Sequence, residues 1–198
     1  GLSGQIPALE GLPLHNEDGA GGNHAYVPWW LYKEQLAGKL GFARGYHIEF
    51  NSGRQMPSHW SSPKLHIVSP SSATGTQYLP ALGCADAGRR LNPDSDEVTL
   101  TSSGDGATSE GEFWESLNIA CLEKLPLVYL IQDNGWAIST PVEVETPGGD
   151  ISKVLRGFPG LHIETADGTD LFDSLRAVRA AADYVRARKG PALVHAHV

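Results

Sequence analysis

Short apolar runs alternate with longer amphipathic stretches from about residue 65 to the end of the chain. The apolar runs predict strands at 65–69, 97–102, 127–132, 161–165 and 192–198. Stretches with helical periodicity predict helices at 74–90, 109–124, 151–156 and 170–189. Strands that alternate with helices are typical of an α/β fold, with a mostly parallel sheet and helices on both faces.

The helix at 170–189 has the clearest periodicity and the clearest end signals. Its predicted buried face is Leu171, Leu175, Val178, Ala182 and Val185. Thr169 or Asp170 is expected to cap its start, and Gly190 to end it. For the helix at 109–124, Ser109 and Glu112 have the spacing of a capping box.

Residues 1–24 show no such periodicity and are rich in glycine, proline and turn-forming residues. We expect an irregular arm there. The chain opens at Gly1 and its single methionine is Met56. We therefore expect a fragment or a processed product.

Charge and composition exclude some classes of function. The chain has 198 residues, with 15 Lys and Arg against 23 Asp and Glu, for a net charge of −8. This balance argues against a general nucleic-acid binder, which needs a basic surface. No apolar run approaches the roughly 20 residues of a membrane span. Cys84 and Cys121 lie in apolar, helix-like stretches and are predicted to be buried, reduced thiols.

The segment GDGATSEG, residues 104–111, carries the strongest chemical signal. It leaves a buried strand and enters a helix, and ligands of parallel sheets bind at the carboxyl ends of strands. Gly104 and Gly106 allow the backbone to approach a ligand on either side of Asp105. The amino end of the following helix supplies N–H groups suited to phosphate.

A second loop, with Asp133, Asn134 and Trp136, leaves the next strand along the chain. If the two strands are neighbours, their ends lie about 5 Å apart, and Asp105 and Asn134 converge. Carboxylate, amide and carbonyl oxygens suit Mg²⁺ that bridges a diphosphate. A Gly-Asp-Gly sequence is more often a simple turn, and it is the pairing with Asn134 that strengthens the hypothesis. The glycines fit neither G-x-G-x-x-G nor the Walker pattern.

Several segments together resemble one family. The stretch GDGATSEGEFWESLNIACLEKLPLVYLIQDNGWAISTP is similar to the thiamine-diphosphate motif of 2-oxo acid dehydrogenases, in the alpha part of their decarboxylating component. GRQMPSHW, SSATGTQ, PVEVETPGGDISK and GPALVHAHV resemble the same family, most closely bacterial versions with fused alpha and beta parts. The resemblance covers 52–198. It implies a thiamine-diphosphate-binding domain at 51–198, preceded by an irregular arm at 1–50.

The resemblance implies roles for individual residues. Mg²⁺ would be held by Asp105, by the side chain of Asn134 and by the backbone carbonyl of Trp136. Gly104, Gly106 and Ala107 would line the diphosphate, and Gly106 and Ala107 would offer it backbone N–H groups. Ser72 and Thr74 would contact the aminopyrimidine and support the bent cofactor. Ser71, Thr76 and Gln77 match a structural K⁺ site of some members, and His59 matches a histidine near the thiazolium.

Three positions depart from the family pattern. Asp133 stands where a second asparagine is usual, and we expect its carboxylate to point away from the metal. Gln132 replaces an arginine that contacts the diphosphate in some members, so that contact would be weaker. Ala73 replaces a frequent proline.

The resemblance also implies a reaction and partners. The enzyme would decarboxylate a small 2-oxo acid, branched-chain or pyruvate, and pass the acyl group to a lipoyl-bearing transacylase. The activating glutamate would come from a beta part, fused or separate, and a histidine-bearing loop would follow Val198, so this chain alone would be a diphosphate-binding half-site of an oligomer. No nucleic-acid or membrane partner is expected, and the location would be the bacterial cytoplasm or the mitochondrial matrix. Another thiamine-diphosphate enzyme, such as an acetoin dehydrogenase or a transketolase-like protein, and a non-enzymatic assembly module are the alternatives.

His195 and His197 lie two residues apart on a predicted strand and point the same way. This spacing is compatible with a metal. No third ligand is evident in the sequence, so a structural or interface role is favoured for both.

Overall fold

The computed structural model describes residues 65–68 and 71–198, and its centre is a four-stranded parallel sheet. The strands are β1 (Thr99–Gly104), β2 (Leu127–Asp133), β3 (Trp136–Ala137), β4 (Thr140–Pro141), β5 (His162–Asp167) and β6 (Ala192–His197). The sheet has the order β1-β2-β6-β5, and β3 and β4 form a separate antiparallel pair. The sheet belongs to one structural unit, Ala73–Val198; residues 1–72 form the other.

Five α-helices occur in the described part of the chain. They are α1 (Tyr78–Leu91), α2 (Gly111–Glu123), α3 (Val142–Glu145), α4 (Ile151–Val154) and α5 (Leu171–Arg186). Short 3-10 segments at Asp105–Ser109, Pro147–Gly149 and Leu155–Gly157 connect them. None of the helices among the described residues is long and apolar enough to cross a membrane.

The sheet is covered on both faces, because alternate residues of its strands enter two different cores. Leu127, Tyr129 and Ile131 of β2 pack in one core with α1 and α2. Val128, between them in sequence, packs in the other with Ala177 of α5. Burial of both faces explains why β2 is a continuous apolar run. The predicted α/β class, with a parallel sheet and helices on both faces, is confirmed.

The predicted strand at 65–69 is wrong over the residues described. Residues 65–68 contain only an isolated bridge at Ile67, and Ser69 lies outside the described residues. His66 has a φ of 55°, and this left-handed conformation interrupts an extended strand. The other predicted strands and helices are present, with ends displaced by a few residues.

The predicted capping box at Ser109 is also wrong. Ser109 belongs to the 3-10 segment that follows β1, and Glu110 is the N-cap of α2, without a side-chain cap. The hydroxyl of Thr108 donates to the Asp105 carbonyl (2.7 Å) and stabilises this tight turn. Ser109 therefore lies in this turn, and the helix begins two residues later, at Gly111.

Helix α5 is capped as expected, but only part of the predicted face is buried. Asp170 accepts hydrogen bonds from the N–H groups of the first helical turn. Of the predicted face, Val185 is buried and Val178 packs against the core, whereas Leu171 is 75% exposed. The other buried residues are Ala177 and Ala181, and these small side chains let the helix backbone approach the sheet closely.

Both cysteines are free thiols, but the expectation that both are buried is wrong. Cys84 is exposed on α1, whereas Cys121 is partly covered by the core around α2. Burial raises the pKa of the Cys121 thiol to about 11. Cys121 is thus held in its unreactive protonated form.

Replacing Tyr129 with phenylalanine should lower the free energy of unfolding by about 1 kcal/mol. The Tyr129 hydroxyl is buried and donates to Ser116 Oγ (3.2 Å). The loss is modest because Ser116 still donates to the Phe113 carbonyl (3.0 Å) and is not left without a partner. Urea unfolding of the two chains measures the difference, and a loss above about 3 kcal/mol would contradict this account.

Candidate functional site

The turn that leaves β1 places a buried carboxylate at the carboxyl end of the sheet. Asp105 is 2% exposed and begins the 3-10 segment. Its Oδ2 atom is buried and has no hydrogen-bond partner among the described residues. A buried carboxylate oxygen without a partner is costly. This atom is therefore in place for a cation.

The second predicted loop leaves the neighbouring strand, as the sequence required. Gly104 pairs with Gln132 in the parallel register of β1 and β2, so Asp105 and Asn134 follow adjacent strand ends. Asn134 is exposed, and its Oδ1 accepts the N–H of Trp136 (2.9 Å). Gln132 is exposed at the same edge. The two loops therefore leave adjacent strand ends, which is the condition that the predicted convergence needed.

A third segment, which the sequence analysis did not assign to the site, packs against the Asp105 turn. A Cβ atom on Gly106 would lie 2.5 Å from Ala137 Cβ and 3.4 Å from an oxygen of Glu145. The Oε2 atom of Glu145 is also buried without a partner among the described residues. Glu145 lies in the stretch PVEVETPGGDISK that resembles the family, but the resemblance assigned it no role. Only the fold of β3, β4 and α3 brings it to Gly106.

A fourth segment, residues 73–77, reaches the same end of the unit. Gly75 has a φ of +84°, and a Cβ there would stand 2.8 Å from Glu110 Cβ. Thr76 donates to the Ala73 carbonyl (2.8 Å), and the Gln77 side chain donates to the Ser102 carbonyl (3.1 Å). The segment therefore packs against the start of α2 through Gly75 and against the end of β1 through Gln77, while the cofactor and K⁺ roles of Thr74, Thr76 and Gln77 stay predictions.

The remaining predicted site residues have separate outcomes. Ser71 and Ser72 are exposed and belong to the unit of residues 1–72. His59 and the arm at 1–50 lie outside the described residues. The predicted boundary at residue 51, the K⁺ ligands and the role of His59 all stay predictions.

The residues at this edge fit a magnesium-diphosphate group. Asp105 offers a carboxylate oxygen without a partner, Asn134 an amide oxygen, and the partly buried Glu145 a second carboxylate with one buried oxygen. These are the hard oxygen donors that Mg²⁺ prefers. Because Asp105 and Glu145 are both acidic, a cation must bind before a negatively charged diphosphate could approach Gly106.

The carboxylate of Asp133 is engaged by protein groups. Its Oδ2 accepts from Nε2 of the fully buried His195 (2.7 Å), and its Oδ1 accepts the Gly135 N–H (2.8 Å). His197 Nδ1 lies 3.7 Å from the same Oδ2. The expectation that the two histidines lack a third potential ligand is therefore wrong, since the three donors lie within 4.8 Å of one another. The pairing of β2 with β6, which the sequence does not show, brings Asp133 to them.

A second carboxylate stands on the other side of His195. Asp150 caps α4, accepting from Ser152 Oγ (2.6 Å) and the Lys153 N–H (3.0 Å), and its Oδ1 lies 3.6 Å from His195 Nδ1. Burial alone would raise the pKa of Asp150. The hydrogen bonds from Ser152 and Lys153, with the nearby His195, outweigh burial and hold that pKa well below its ordinary value.

This low pKa predicts how stability depends on pH. A group whose pKa is depressed by folding stabilises the native state above its unfolded pKa, about 4 for aspartate. That contribution is lost as the pH falls through the lower folded value. We expect the free energy of unfolding to decline more steeply below about pH 4 in the original chain than in Asp150→Asn, which keeps a capping oxygen. Urea unfolding at several pH values measures both slopes, and equal slopes would contradict the assignment.

Comparison with known proteins gives a consistent set of relatives. Residues 33–198 match the family model described as the dehydrogenase E1 component. The 2-oxoisovalerate dehydrogenase subunit alpha of Bacillus subtilis is 34% identical over 146 residues, 73% of this chain and 43% of the relative. The 3-methyl-2-oxobutanoate dehydrogenase subunit alpha of Mycobacterium tuberculosis is 42% identical over 124 residues, 62% of this chain and 32% of the relative.

A third relative and a solved structure agree with these. The pyruvate dehydrogenase E1 component subunit alpha of Staphylococcus aureus is 32% identical over 155 residues, 77% of this chain and 38% of the relative. The chain thus spans 32–43% of the length of these three relatives. The crystal structure of a Campylobacter jejuni transketolase superposes with a TM-score of 0.56 at 21% identity, over 64% of this chain and 20% of that one. This likeness shows a shared fold.

Proposed function

Because this chain belongs to the dehydrogenase E1 component family, we propose that it anchors the magnesium-diphosphate end of thiamine diphosphate in a 2-oxo acid dehydrogenase. The observation that carries the proposal is the buried, unpartnered Oδ2 of Asp105 at the carboxyl end of β1. In a parallel sheet that edge is where ligands bind.

Different residues would bind the metal ion and the diphosphate. Asp105 and Asn134, with the carbonyl of Trp136, would hold Mg²⁺, and the backbone N–H groups of Gly106 and Ala107 would meet the diphosphate. The bound cofactor supplies the electron sink that lets a 2-oxo acid lose carbon dioxide. The contribution of this chain is to fix one end of the cofactor on a rigid sheet edge, which determines where its reactive carbon stands.

The names of the relatives support the substrate class. They name 2-oxoisovalerate, 3-methyl-2-oxobutanoate and pyruvate dehydrogenases, each in its alpha subunit. We accordingly propose a branched-chain 2-oxo acid or pyruvate as the substrate and a beta part as the catalytic partner. A lipoyl-bearing transacylase would accept the acyl group.

Carbon dioxide release by the enzyme assembled with its beta part tests this proposal. Pyruvate and 3-methyl-2-oxobutanoate are supplied in turn, with thiamine diphosphate, Mg²⁺ and a lipoyl acceptor. We expect decarboxylation of at least one acid, coupled to acylation of the acceptor and abolished by removal of Mg²⁺. Cofactor binding without decarboxylation of either acid would favour another thiamine-diphosphate enzyme. The absence of both binding and turnover would favour an assembly module.

A further inference from the structure

Three hydrogen bonds to Asp133 hold the end of β2. Asp133 is 7% exposed, and both of its carboxylate oxygens accept hydrogen bonds, from His195 and from the Gly135 N–H. Its backbone carbonyl also accepts the N–H of Val198 (2.8 Å). Asp133 is therefore held on its side chain and on its main chain immediately before Asn134.

His195 determines where the Asp133 carboxylate can lie. It is fully buried on β6, and its Nε2–H donates to Oδ2 of Asp133 (2.7 Å). With Oδ2 fixed in this way, Oδ1 faces the Gly135 N–H (2.8 Å) and closes a turn around Asn134. Gly135 occupies that turn at a φ of +77°.

The far side of the same loop is fixed as well. The carbonyl of Gly135 accepts the N–H of Val142 (2.9 Å), and Asn134 Oδ1 accepts that of Trp136 (2.9 Å). Asn134 thus stands between two anchored peptides. Its position relative to the sheet depends on the Asp133 carboxylate, and through that carboxylate on His195.

We propose that Asp133 and His195 are positioning residues that hold Asn134 in place for the magnesium-diphosphate group, an inference that rests on the proposed function above. Partners that orient a metal ligand in this way commonly change metal affinity by about 10–100-fold when they are removed. The 2.7 Å separation between Asp133 and His195 is that of a hydrogen bond. His197 has no role in this proposal, although its ligand atom lies within 4.8 Å of theirs.

Two substitutions of His195 separate positioning from packing. His195→Leu fills the buried space but cannot donate to Asp133, whereas the side-chain amide of His195→Gln can still donate. We expect the affinity of the assembled enzyme for magnesium pyrophosphate to fall about 10–100-fold in His195→Leu. His195→Gln should recover most of that loss. The KM for thiamine diphosphate should rise in His195→Leu, with kcat at saturating cofactor and Mg²⁺ changed much less.

Controls distinguish this inference from folding and from the proposed function. His197→Gln alters the neighbouring half-exposed ring, which makes no hydrogen bond to Asp133, and should bind as the original enzyme does. Urea midpoints show whether His195→Leu is folded; if it is not, Asp133→Ala, which removes the acceptor, provides the same comparison. Asp105→Asn serves as the reference for a lost ligand.

The outcomes are distinct. If the original enzyme binds magnesium pyrophosphate, Asp105→Asn does not, and both His195→Leu and Asp133→Ala bind normally, the positioning role is overturned while the proposed function stands. If the original enzyme binds neither magnesium pyrophosphate nor thiamine diphosphate, both are overturned. Stoichiometric Zn²⁺ or Co²⁺ binding that is lost in His197→Gln would also overturn the positioning role, since the three residues would then form a metal centre.

Discussion

Replacing Asp105 with asparagine should lower the affinity for magnesium pyrophosphate by more than about 100-fold, beyond the range expected for residues that only orient a ligand. The asparagine has nearly the same shape but lacks the charge that a divalent cation needs. Calorimetric titration of the chain with magnesium pyrophosphate measures the loss. The same titration with thiamine diphosphate, on the enzyme assembled with its beta part, should show a parallel loss.

The same substitution should leave the ligand-free protein at least as stable as before. Asp105 Oδ2 is buried without a partner among the described residues, so the carboxylate lowers the stability of the folded protein when no cation is bound. A gain or no change in the urea midpoint, together with lost binding, is the signature of a ligand site. Asp96→Asn removes the same charge from a side chain that is 90% exposed and should change neither property. Unchanged binding in Asp105→Asn would refute the metal assignment.

Replacing Gly106 with alanine should both destabilise the unit and weaken diphosphate binding. The new Cβ would lie 2.5 Å from Ala137 Cβ, closer than two carbon atoms can approach, so one of the two segments must move. Overpacking of this kind costs about 1–3 kcal/mol. The displaced backbone carries the N–H groups proposed to meet the diphosphate. Urea unfolding and pyrophosphate titration of one preparation measure both effects.

Two further variants show whether the collision is the cause. Ala137→Gly in the Gly106→Ala background removes the nearest atom and should restore part of the stability and of the affinity. Gly83→Ala, in the middle of α1, meets no atom within 4 Å and should be neutral or stabilising. If Gly106→Ala behaves like Gly83→Ala, the turn is not packed as the structure shows.

The sequence was sufficient for the fold class because both β2 and α5 have strong patterns. The apolar run of β2 and the glycines around Asp105 are local features that do not depend on distant residues. The order of the strands in the sheet, in contrast, cannot be read from local patterns. β6 lies between β2 and β5 because of contacts between residues far apart in the sequence, and without this order Asp133 cannot be placed beside His195.

The errors also have physical causes. Ser109 is a residue type that often caps helices, but here it belongs to the tight turn that Thr108 stabilises before the helix begins. Leu171 fits the helical period, yet α5 contacts the sheet mainly through its alanines. A hydrophobic pattern favours the larger leucine for a buried position, so it does not predict this. Glu145 lies in a stretch that resembles the family, yet the sequence did not single it out, because its approach to Gly106 depends on how β3, β4 and α3 fold back.

The alternation of residues along β2 and β6 has a consequence for cooperativity. Leu193 enters one core while Val194, its neighbour, enters the other, so the two helical layers share their strands. Neither layer can unfold and leave the other intact, and the unit should melt in a single transition. A ligand bound at the end of β2 then stabilises the whole unit by mass action.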